Sequence, residues 1–95
     1  MDARSEETRG EDARRIIEAP IYKESYAIVD AKIVNELGHR DVAPERKRQL
    51  CDLLTMGRLY RQYLEQVIVT GTMAGMELER QKTLRERFLG RNRRA

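Results

Sequence analysis

The chain has 95 residues, 40% of them apolar and 37% charged, with a formal net charge of +3. That is room for one small domain with a thin core, and Leu, Ile, Val and Phe number only 21. Two Pro, six Gly and one Cys argue against a loop-rich β domain and against a disulfide framework, and the single Cys with a single His cannot build a zinc site from one chain. Richness in Arg, Glu, Leu and Ala predicts an all-α fold.

Residues 1–10 are polar and read as a flexible N-terminal arm, without the charge and apolar order of a signal peptide. A single helical domain is expected over residues 11–90, followed by a basic tail at 91–95. A short first helix is expected from Glu11 to Ala19, with Ala13, Ile16 and Ile17 on one side. Pro20 marks a boundary, since proline suits the first turn of a helix and pushes its predecessor out of the α region. The second helix is expected from Pro20 to Leu37, with the stripe Tyr22, Tyr26, Val29, Ile33 and Leu37. Gly38 sits where a left-handed cap is common. Pro44 and Glu45 open the third helix.

The third helix carries a heptad seam. Leu50, Leu53, Gly57, Tyr60, Leu64, Val67, Gly71, Ala74 and Leu78 alternate steps of three and four. Val67 to Thr72 is β-branched and holds a glycine, so its helix propensity is poor. One long helix to Leu89, bent or loosened near Gly71, is the preferred reading, with a true break at Thr70–Thr72 as its rival. A five-residue connection predicts an antiparallel hairpin between a second helix of ~27 Å and a third of ~68 Å. Tyr22 then lies near Tyr60 and Leu64, Tyr26 over the vacant side chain of Gly57, and Ile16 and Ile17 over Val67 and Ile68. Nothing remains to cover Ala74, Met76, Leu78, Leu84, Phe88 and Leu89, which are therefore the expected protein interface, for a second copy or a larger partner.

Chemistry is harder to find. No phosphate-cradling glycine motif follows a strand, the carboxylates are scattered, and Cys51 has only the loop residue His39 as a partner on paper. No catalytic residue, cofactor, metal or small-molecule substrate is expected, and no apolar run approaches the ~18 residues of a membrane span. Charge, however, is unevenly placed: residues 1–24 carry a local −2 and residues 79–95 a local +5. Arg46, Lys47 and Arg48 in the first turn of the third helix, with Arg87, Arg91, Arg93 and Arg94 near the C-terminus, are the candidate contacts for non-specific DNA. A helix-turn-helix does not fit, because the connection and the following helix are both too long.

Three segments together carry a resemblance: Ala19-Pro20-Ile21-Tyr22-Lys23-Glu24-Ser25-Tyr26, Pro44-Glu45-Arg46, and Leu64-Glu65-Gln66-Val67-Ile68-Val69-Thr70-Gly71-Thr72-Met73-Ala74. Across roughly residues 13–80 the chain resembles small helical proteins encoded among the structural and packaging genes of tailed bacteriophages. The resemblance implies a non-enzymatic virion or assembly component, found in the host cytoplasm during assembly and then in the particle. It carries over no site residues and does not include the Arg-rich end. The alternative is a small DNA-binding module associated with genome packaging.

Overall fold

A computed structural model of the chain describes residues 1–94, with side chains through residue 90. It is all-α, with three helices and no strand among the described residues: α1 (Ala3–Glu18), α2 (Pro20–Leu37) and α3 (Pro44–Arg94). The molecule measures 80 × 24 × 17 Å, with a radius of gyration of 21.8 Å, against about 12 Å for a compact chain of this length.

α1 begins eight residues earlier than its apolar pattern predicts. Asp2 adopts an extended conformation, and its carboxylate accepts a hydrogen bond from the Ser5 backbone N–H at 2.8 Å. Glu6 adds an acidic group to the first turn, where the helix dipole favours it. Residues 3–10 are thus helical rather than an unstructured arm. The Ser5 hydrogen bond, which forms only with the folded turn, holds the Asp2 carboxyl below its ordinary range. A group with a depressed folded pKa stabilises above its unfolded value, and the gain is lost as pH falls through the folded one. Asp2→Ala should therefore speed amide exchange in the first turn of α1 at neutral pH. The difference from the native chain should vanish in acid; a difference independent of pH would show that Asp2 is not the cap.

A single extended residue, Ala19, separates α1 from α2, and Pro20 starts the new helix as its fixed φ allows. α2 ends at Gly38, which stays right-handed at φ −78° and ψ −6° instead of taking the left-handed form expected of a terminal glycine. Its N–H reaches the Val34 and Asn35 carbonyls, so no positive φ is needed.

α3 runs unbroken through the β-branched stretch and through Gly90, to Arg94. Local propensity loses there to packing, because α1 lies against this stretch. The Thr72 hydroxyl donates to the Ile68 carbonyl at 3.0 Å, which satisfies it within the helix without adding to helix stability. Both shorter helices run antiparallel to α3. Glu36–Arg46 and Asp30–Arg58 pair α2 with the start of α3, and Glu7 meets Gly75 farther along.

The core is small. Among the described residues only Ala13, Leu50 and Ala74 are fully buried apolar side chains, and Leu50 is the deepest at 2% exposure. α2 contributes no buried residue at all. Ile21, Ile28, Val34, Met56 and Tyr63 are among the large apolar side chains left exposed.

Candidate functional site: an apolar helical face

Two surfaces of α3 are used in different ways. On its C-terminal half α1 approaches closely through small residues. A Cβ placed on Gly71 would lie 2.8 Å from Gly10 Cα and 2.9 Å from the Glu6 carbonyl oxygen. One placed on Gly10 would lie 2.9 Å from Gly71 Cα. The two backbones touch, with Ala13 and Ala74 buried beside them. Arg9 reaches across to donate to the Tyr63 hydroxyl at 3.1 Å. Ile16, expected to cover Val67 and Ile68, is instead 48% exposed. The docking face is hard to see in the sequence because Glu6 interrupts it. Ala3, Glu6, Gly10, Ala13 and Ile17 keep steps of three and four, and that spacing is its one signal.

On the N-terminal half α2 stands off. Tyr22, Tyr26, Ile33, Leu53, Gly57 and Tyr60 line an open groove of about 310 Å³ between the two helices. The expected register is met, since the tyrosines and Gly57 share this groove. The expected filling is not: a Cβ on Gly57 would find no atom within 4 Å, so Tyr26 does not occupy that space. Tyr26 stacks with Tyr22 at 6.2 Å between ring centroids and lies under the Arg61 guanidinium at 4.7 Å. Two bidentate ion pairs tie α2 to α3, one reaching the groove through Asp30 and one beyond its end, beside Leu50. Arg58 donates to both carboxylate oxygens of Asp30, and Arg46 to both of Glu36. The Asp30 carboxylate raises the Arg58 pKa further above its already high value.

The expected interface residues separate into two groups. Ala74 is buried beneath α1 at 6% exposure and is removed from the interface, because the N-terminal stretch read as an arm covers it. Leu78 is half-buried on the same side. Met76, Leu84, Phe88 and Leu89 remain exposed. They do not form one stripe, because at about 100° per residue their spacing of eight, four and one spreads them over roughly 220° of the helix surface.

The candidate DNA contacts also divide. Arg46 is engaged by Glu36 at 3.0 Å, whereas Lys47 and Arg48 form no ion pair among the described residues. Arg87 is exposed. The side chains of Arg91, Arg93 and Arg94 lie outside the described residues. His39 and Cys51 are both exposed, and no cluster of three metal-ligating side chains exists among the described residues. No helix among them is long and apolar enough to cross a membrane. No protein-family model, curated protein or solved structure matches the chain.

Proposed function

We propose that this protein is a non-enzymatic structural or assembly component of a phage-like particle, working as an oligomer or bound to a capsid or connector protein. The observation that carries the reading is the mismatch between a core of three residues among those described and the many large apolar side chains left exposed. An 18-residue helix whose inner face, Tyr22, Tyr26, Ile33 and Leu37, is only half-buried is weakly held in an isolated chain. Exposed apolar area of this kind belongs to proteins completed by a protein neighbour. The phage-like setting comes from the sequence resemblance, and with it the expected location, host cytoplasm and then particle.

The test is quantitative mass spectrometry of gradient-purified particles, finished and immature, from the organism that encodes the chain. A fixed stoichiometric ratio to the shell protein in either fraction is the expected result. Absence from both overturns the reading.

Lys47 and Arg48 near the start of α3, which form no ion pair among the described residues, favour a second reading as a DNA-binding module that also uses the basic C-terminal end. On that reading, removal of residues 91–95 lowers the log–log salt slope of duplex binding by about 0.9 for each phosphate that is no longer neutralised, up to roughly three units. An unchanged slope and affinity removes the C-terminal arginines from any DNA interface.

A further inference from the structure

We draw no further inference here: the strongest candidate, the open groove between α2 and α3 around Gly57, is an unpartnered apolar face, and nothing in the structure shows what covers it.

Discussion

Gly71→Leu should release α1 from α3. Any side chain at position 71 begins 2.8 Å from Gly10 Cα and 2.9 Å from the Glu6 carbonyl, both backbone atoms that no rotamer change can move. The helices must separate, and with them goes the cover over Ala13 and Ala74, two of the three fully buried apolar side chains. Overpacking a tight contact costs about 1–3 kcal/mol, and backbone against backbone belongs at the upper end. Hydrogen exchange reports the result by segment: amides of residues 3–18 should lose protection, while those of the α2–α3 hairpin change less. Gly10→Leu should reproduce this pattern, since its Cβ would lie 2.9 Å from Gly71 Cα. Unchanged protection of α1 in both variants would show that the two helices do not meet there.

Leu50→Ala should open the other end of the molecule. Leu50 is the most deeply buried side chain, 2% exposed, and sits near the start of α3 beside Ile33 and the Glu36–Arg46 pair. Truncating such a leucine removes transfer free energy and leaves a void, about 2–5 kcal/mol together. In a chain with so few buried residues there is little else to hold the hairpin tip, and the flanking ion pair is solvent-exposed and contributes little. The urea midpoint should fall sharply, and exchange should rise first in residues 33–50. Leu53→Ala, the next step along the same seam but 54% exposed, should cost much less in the monomeric chain. Equal losses at both positions would mean that the tip is not where the packing lies.

These two sites also mark the boundary of what can be read from the chain in advance. Helical content, the α2–α3 register and the long third helix are all legible. Each follows from a spacing of three and four, from proline at a helix start, or from the length of a loop, and all of these are local. The groove residues can be brought together on paper for the same reason. Gly10 is not legible in this way. With Glu6 and Glu7 close by it looks like part of a polar arm, because a glycine carries no apolar signal and its value appears only when another backbone lies opposite. The assignment of Ala74 to an open stripe is a direct consequence. Gly57 misleads in the other direction: a gap in an apolar seam reads as a place prepared for a ring, yet Tyr26 leans under Arg61 instead.

The chain by itself therefore determined the class of the fold, the order of its helices, the approximate lengths of α2 and α3, and the antiparallel turn between them. Periodicity and backbone sterics act within a few residues of one another, so they are written in the order of the residues. Tertiary structure decided the rest: that α3 stays helical through Val67–Thr72, that Gly71 is filled and Gly57 empty, and which apolar residues are left over for a neighbour. Those outcomes depend on interhelical approaches so close that a Cβ on Gly71 would lie 2.8 Å from Gly10 Cα, some sixty positions away. No local propensity encodes them, because they are differences between packing arrangements that share the same pattern of polar and apolar residues.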